Sequence, residues 1–280
     1  MNIDVMRGFV EIDEGQVHYR YSREVVQGAL PLVMLHASPG SSKMLSGIIA
    51  LMGRYRRVIA TDTLGNGDSV PHRLPAPAIA DFADAHLRAL DAIGIGQFDL
   101  YGTHTGGCIA SEIAIRHPDR VRRLILDGMS LYTEAERIDM LENYALEIHP
   151  DLGGYHLNWA WHFVRDNYLF WPWYKRDAAH VRAVGLPSPD VLHDKLIEVL
   201  KAVRTYHLSY RAAIAYRKDE RLPLVTVPTL LACGRNDMLL PYLDGVAALI
   251  PHALRIETSG VGNACDLAET TRKFADFLDA

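Results

Sequence analysis

The stretch that most constrains this chain is Phe98 to Ala110, FDLYGTHTGGCIA. The apolar run Phe98 to Tyr101 predicts a short buried strand. Gly102, Thr103, His104, Thr105 and Gly106 predict a tight turn, and Gly107 to Ile115 the first turns of a helix. Glycines on both sides of His104 let the strand and helix backbones approach closely. The middle side chain is then pushed out over the end of a sheet.

The rest of the chain supplies that sheet. Arg7 to Ile12 and Gln16 to Tyr21 alternate in the β manner about Asp13-Glu14-Gly15, which predicts a hairpin. Leu32 to Leu35 is the continuous apolar run of a central parallel strand. A helix from about Lys43 to Met52 follows, then a strand from Arg57 to Thr61 that ends at Asp62. Ile79 to Ile93 carries apolar residues at helical spacing, and Gly94 closes it. After the His104 turn and its helix, stopped by His117-Pro118, Val121 to Leu126 is another buried strand ending at Asp127-Gly128. From Met129 to Leu222 the alternation of strand and helix stops. Helical segments there are separated by Pro and Gly signals, and aromatics crowd into Trp159 to Tyr174. Alternation resumes with a strand at Val227, a helix near Leu243 to Ile250, a strand at Leu254 to Thr258 and a last helix, Cys265 to Leu278. The pattern predicts an α/β chain in three stretches: 1–128, a helical insertion at 129–222, and 223–280.

Composition excludes several roles. The net charge of −5 is dispersed, and no basic run suggests nucleic acid or an anionic membrane. No stretch approaches the roughly 20 apolar residues of a membrane helix. The N-terminal MNIDVMRGFVEI lacks a basic start followed by a long apolar segment, so no signal peptide is expected. Cys108, Cys233 and Cys265 are far apart and lie in apolar contexts, which predicts free thiols, a reducing compartment and a cytoplasmic location.

Five features in order resemble the α/β-hydrolase superfamily over nearly the whole chain. They are His36-Ala37-Ser38-Pro39-Gly40 after an apolar strand, Asp62-Thr63-Leu64-Gly65-Asn66-Gly67-Asp68-Ser69, the Gly-x-His-x-Gly turn at 102–106, Val227 to Asp237, and Gly260-Val261-Gly262-Asn263. The resemblance implies a mostly parallel central sheet flanked by helices, with the insertion as a helical cap. It also implies a nucleophile elbow at His104 and an acid at Asp237. Two positions depart from the family pattern. His104 stands where Ser is usual, and Asn263 where the catalytic His is usual. An amide takes no proton from a nucleophile, so an ordinary Ser-His-Asp relay cannot operate.

The remaining residues suggest other chemistry. A neutral imidazole at His104 serves as base or nucleophile near pH 7, and the adjacent helix N-terminus is expected to favour the neutral form. Asp237 or Asp127 would orient it. Backbone N–H groups of Ser38 and Thr105 would form an oxyanion hole. His36 is expected to bond its own loop, and Asn263 to reach Asp237, His104 or a substrate oxygen. A cap histidine, His156 or His162, is a further base to weigh. His36, His104, Asp127 and Asp237 lack close ligand spacing, so no metal is expected, and no cofactor.

The expected function is hydrolysis of a small apolar or aromatic carbonyl compound: an ester, a lactone or a carbon–carbon bond. Alternatives are a lyase, a decarboxylase or a cofactor-free oxygenase in the same pocket, or an inactive ligand-binding homologue. The expected partner is a small-molecule substrate, with a homodimer left open.

Overall fold

The computed structural model describes residues 3–23 and 28–280, so Met1 and Asn2 of the N-terminal stretch read above lie outside it. Alternation builds the hairpin of β1 (Val5–Ile12) and β2 (Gly15–Ser22), paired from Val5 opposite Ser22 to Ile12 opposite Gly15. The continuous apolar runs become β3 (Leu32–Leu35), β4 (Val58–Thr61), β5 (Phe98–Thr103), β6 (Val121–Asp127) and β7 (Thr229–Gly234). β8 (Leu254–Thr258) closes the series. Among the described residues they form one sheet of eight strands in the order β1-β2-β4-β3-β5-β6-β7-β8. β1, β2 and β4 pair antiparallel, and every later pairing is parallel.

Helices cover both faces. α1 (Ser46–Met52) packs on one face with α10 (Ala264–Asp279). Ile49, Met52, Phe274 and Leu278 bury against Met34, Ala60 and Tyr101 there. α2 (Ile79–Ile93), α3 (Thr105–Arg116) and α9 (Leu243–Leu249) contribute to the opposite core through Phe82, Leu90, Ile109, Ile113 and Val246. α2 has the expected bounds. The Asp81 carboxylate accepts the Ala78 N–H at 2.8 Å, and Gly94 ends the helix at φ 80°.

Several boundaries shift from the sequence reading, and three of the shifts have a local cause. The helix expected from Lys43 begins as a 3-10 turn, Ser42–Leu45, because the Ser41 hydroxyl accepts the Lys43 N–H at 3.2 Å. α3 starts at Thr105, two residues early, so His104 rather than a five-residue loop makes the whole turn. β7 starts at Thr229 because Pro228 has no N–H to give the sheet; its carbonyl accepts from Leu124 at 2.9 Å.

Between β6 and β7 lie α4 (Glu134–Asn143), α5 (Tyr155–Leu169), α6 (Pro189–Lys201), α7 (Tyr206–Ala215) and α8 (Lys218–Arg221). The aromatics of this insert make its own core. Trp159, Phe163 and Trp173 pack around Tyr144 and Tyr206, and ring centroids are 5.2 Å apart for Trp159 and Phe163. No helix among the described residues is long and apolar enough to cross a membrane.

A buried charge group locks the amino end of the sheet. Asp99, 0% exposed, accepts from Arg56 at 2.6 Å and from both Nε and Nη2 of Arg122 at 2.8 and 2.6 Å. Arg56 also reaches Asp279 at the end of α10. Removing one partner of such a group leaves a buried charge uncompensated, which costs about 3–5 kcal/mol. Asp99→Ala is therefore expected to lose stability of that order, read as a lower urea midpoint; a change under about 0.5 kcal/mol would show that water reaches Arg56.

Candidate functional site

His104 sits at φ 52°, ψ −112°, and is the one non-glycine residue at positive φ among the described residues. Side chains avoid that region, at a cost of about 1–3 kcal/mol. The surrounding backbone enforces it. A β-carbon on Gly102 would lie 2.3 Å from the Gly106 carbonyl oxygen, and one on Gly106 would lie 2.3 Å from that of Leu35. Only glycine at both positions lets β5, α3 and β3 come this close. The His104 N–H then donates to the Asp127 carbonyl at 3.1 Å, and the His104 carbonyl accepts from Gly107 at 3.0 Å.

Asp237 follows β7 and its Nε2 partner is His104, at 2.9 Å from Oδ2. The other oxygen, Oδ1, accepts the Leu239 N–H at 2.8 Å. Asp237 thus both shapes its own turn and orients the histidine, while Arg235 turns away to the Ser259 hydroxyl. With Nε2–H committed to the carboxylate, Nδ1 carries the free lone pair. The two side chains remain 28% and 23% exposed, so the pair is open to a ligand. Gly128, at φ 69°, makes the space: a β-carbon there would stand 2.7 Å from His104 Nε2.

The structure chooses between the two aspartates. Asp127 holds the His104 backbone, but its carboxylate accepts the Tyr101 hydroxyl at 2.8 Å rather than the imidazole. Burial pushes Asp127 up to about 6, with the Asp237 charge adding to it. Burial also opposes charge on Asp237, but the His104 contact and the Leu239 N–H outweigh it and hold that acid below its usual range. For His104 burial works against the cation. The charge and hydrogen bond of Asp237 prevail, with help from Asp127, and its pKa lies above the ordinary histidine value. The expectation that the helix N-terminus would keep His104 neutral is overturned: a contacting carboxylate outweighs a helix end.

The parallel pairing places Ser38 beside this turn, because Leu35 of β3 stands opposite Gly102 of β5. Among the described residues neither the Ser38 nor the Thr105 N–H donates to another backbone group outside regular structure, so both remain available. The Ser38 hydroxyl accepts from Ser209 of α7 at 2.9 Å, and Ser209 accepts from Asn66 at 3.2 Å. His36 bonds its own loop: Nδ1–H donates to the Ala37 carbonyl at 2.8 Å, and Nε2 accepts the Thr63 N–H at 2.9 Å. Burial lowers its pKa, and the neutral ring fits both bonds.

Asn263 does not join the site. Its carbonyl oxygen accepts the N–H groups of Cys265 and Asp266 at 3.0 Å and caps α10, and its amide donates to Asp266 at 2.7 Å. These capping bonds turn the Asn263 side chain onto the first turn of α10, and no hydrogen bond joins it to Asp237 or His104 among the described residues. His156 is held by Asp151 at 3.2 Å within the insert, and His162 faces Asp166 at 3.9 Å, too far for a hydrogen bond. His36, His104, Asp127 and Asp237 do not converge on a metal-sized point. Among the described residues His18, Asp62 and Asp68 come closest to one another. Asp62 is already taken by His18 at 2.8 Å and Ser42 N–H at 2.7 Å, and Asp68 by Lys201 at 2.9 Å.

Sequence reading missed three neighbours. Arg182 donates to the Asn236 carbonyl at 3.0 Å and feels the charge of Asp237, which opposes the lowering of its pKa by burial. Lys195 acts electrostatically on His104, and Tyr210 on α7 senses Asp237. Only the Tyr206–Tyr210 repeat at one helical turn offered a signal, and it points to packing as readily as to a site.

Known proteins agree with this fold. The chain is 42% identical over 106 residues to a 2-hydroxymuconate semialdehyde hydrolase of Pseudomonas sp. (strain CF600), a match of 35% of this chain and 36% of that protein. The chain thus spans about a third of that relative. It is 28% identical over 267 residues, 90% of this chain and 91% of the other, to a putative carbamate hydrolase RutD of Cronobacter turicensis. The enol-lactonase structure from Burkholderia xenovorans LB400 superposes with a TM-score of 0.72 at 20% identity, covering 98% of this chain and all of that one. Each of the three is named for a hydrolase or a lactonase. Residues 31–263 match the alpha/beta hydrolase fold family, and the chain belongs to it.

Proposed function

We propose that the chain is a hydrolase of a small carbonyl compound with an apolar part, and that His104 is its general base. One observation carries the reading: the imidazole is held out of the sheet in a costly backbone conformation with Asp237 on Nε2, leaving Nδ1 free. Water is the nucleophile. Nδ1 takes a proton from water as its oxygen attacks the substrate carbonyl. The resulting oxyanion is bound by the N–H groups of Ser38 and Thr105. The His104 cation, stabilised by Asp237, returns the proton to the leaving group. Helices α4 to α8 act as a cap whose aromatics favour an apolar or aromatic substrate. An ester, a lactone or an activated carbon–carbon bond fits, and relatives named for a semialdehyde and an enol-lactone support that range.

The absence of a hydroxyl at position 104 and of an imidazole at 263 favours one second reading. Proton abstraction with an oxyanion hole also serves decarboxylation or cofactor-free oxygenation. Carbon dioxide release or oxygen uptake on an enolisable keto acid would replace hydrolysis with that chemistry.

His104→Ala is expected to lower kcat/KM by about 10²–10⁴-fold on whichever ester, lactone or β-diketone the protein turns over. Full activity in that variant would exclude His104 as base. Because Asp237 raises the His104 pKa above 6.5, the free base is lost as pH falls through that raised value. The rate should therefore climb with pH through a midpoint above 6.5, and Asp237→Asn should move the midpoint down while slowing the reaction; stopped-time assays from pH 5 to 9 read both. Gly128→Ala drives a methyl group into the imidazole and is expected to abolish turnover, with the fold confirmed by circular dichroism.

A further inference from the structure

A chain of hydrogen bonds in the insert fixes the sense of one hydroxyl beside the site. The Phe163 carbonyl can only accept, and the Asn167 amide nitrogen donates to it at 2.8 Å. That orients the Asn167 amide, so its oxygen faces Tyr144 and must accept the Tyr144 hydroxyl proton, at 2.8 Å. Tyr144 then has only lone pairs to offer its other neighbour. Tyr210, 3.1 Å away, gives it a proton. Each step leaves the next no choice. The Tyr210 proton is committed inward, and outward its oxygen is an acceptor alone. The ring is fixed too, stacked on Tyr144 with centroids 4.9 Å apart.

The position of α7 sets where that oxygen stands. Ser209, the preceding residue, is bonded to Ser38 in the turn after β3. One turn later the Ala213 carbonyl lies 4.0 Å from Cys108 Sγ, one turn into α3. His104 heads α3 one turn before Cys108, and Tyr210 lies between Ser209 and Ala213 on α7. Tyr210 stays half-buried although Tyr144 stacks on one side of it. The charge of Asp237 reaches it, which agrees with this placement.

We propose that Tyr210 is a specificity-determining residue that accepts a hydrogen bond from a hydroxyl or enol group of the substrate. This deepens the carbonyl-hydrolase reading and rests on it. The substrate class narrows to carbonyl compounds that also carry a hydrogen-bond donor. A methyl ether or a second carbonyl at the same place would set lone pair against lone pair. An unmatched polar contact of this kind discriminates strongly because neither group can turn to satisfy the other.

Binding by calorimetry to the 2-, 3- and 4-hydroxyacetophenones and their methyl ethers tests this independently of turnover. Wild type should bind at least one hydroxy isomer about tenfold more tightly than its ether. Tyr210→Phe should erase that ratio. Tyr144→Phe removes the inward acceptor and frees the Tyr210 proton, so the ratio should shift toward the ether. The preference should persist in His104→Ala, so loss of turnover there speaks only to the base. A wild type with no preference for any hydroxy isomer would overturn the proposal. So would a Tyr210→Phe protein that keeps the preference, or one that weakens every ligand equally, as a water-holding or packing role would.

Discussion

Holding a residue that bears a β-carbon in the left-handed region costs about 1–3 kcal/mol, and at His104 the backbone around it sustains that conformation. Gly102 and Gly106 let β5, α3 and β3 close on one another to a distance no side chain would allow. The Asp127 carbonyl then fixes the His104 amide. Parallel register does the rest, since Leu35, Thr103 and Asp127 end their strands side by side. Ser38 follows β3, Thr105 opens α3 and Asp237 follows β7, so all three lie at the end of the sheet where β5 ends. Without the tight turn His104 would not be presented to Asp237 at that end.

The electrostatics follow from that crowding. Two carboxylates and one imidazole occupy a small volume with little water. Asp237 contacts the ring and stays ionised, and Asp127, paired only with a phenol, titrates at about 6. Asp237 is thus the carboxylate that faces the imidazole, and Asp127, bonded to the phenol, does not compete for it.

The fold was legible in the sequence wherever local signals and tertiary packing agree. α2 ends where Gly94 says it should, and the glycine spacing at 102–106 gives the turn. The bond between His104 and Asp237 joins residues 133 apart, and family order alone proposed it. Choosing Asp237 over Asp127 needed coordinates, because both lie at strand ends and the difference is which way each carboxylate leans. Asn263 was misjudged since an asparagine before a helix serves equally as a cap. The polarity of Tyr210 was invisible: it depends on Phe163 and Asn167 of α5 and on Tyr144 after α4, which only the folded insert brings to α7.

Helix α7 is held to the sheet side of the molecule at two points, the buried bond of Ser209 to Ser38 and the part-buried bond of Thr205, just before the helix, to the Gly65 carbonyl. Such bonds cost about 1–3 kcal/mol each to leave unmade. The α6 helix is held to the same side by Lys43–Asp194 and Lys201–Asp68, which are exposed ion pairs of about 0–1 kcal/mol. When the insert loosens, α6 should therefore lift before α7, which leaves the helix that carries Tyr210 the more firmly held of the two.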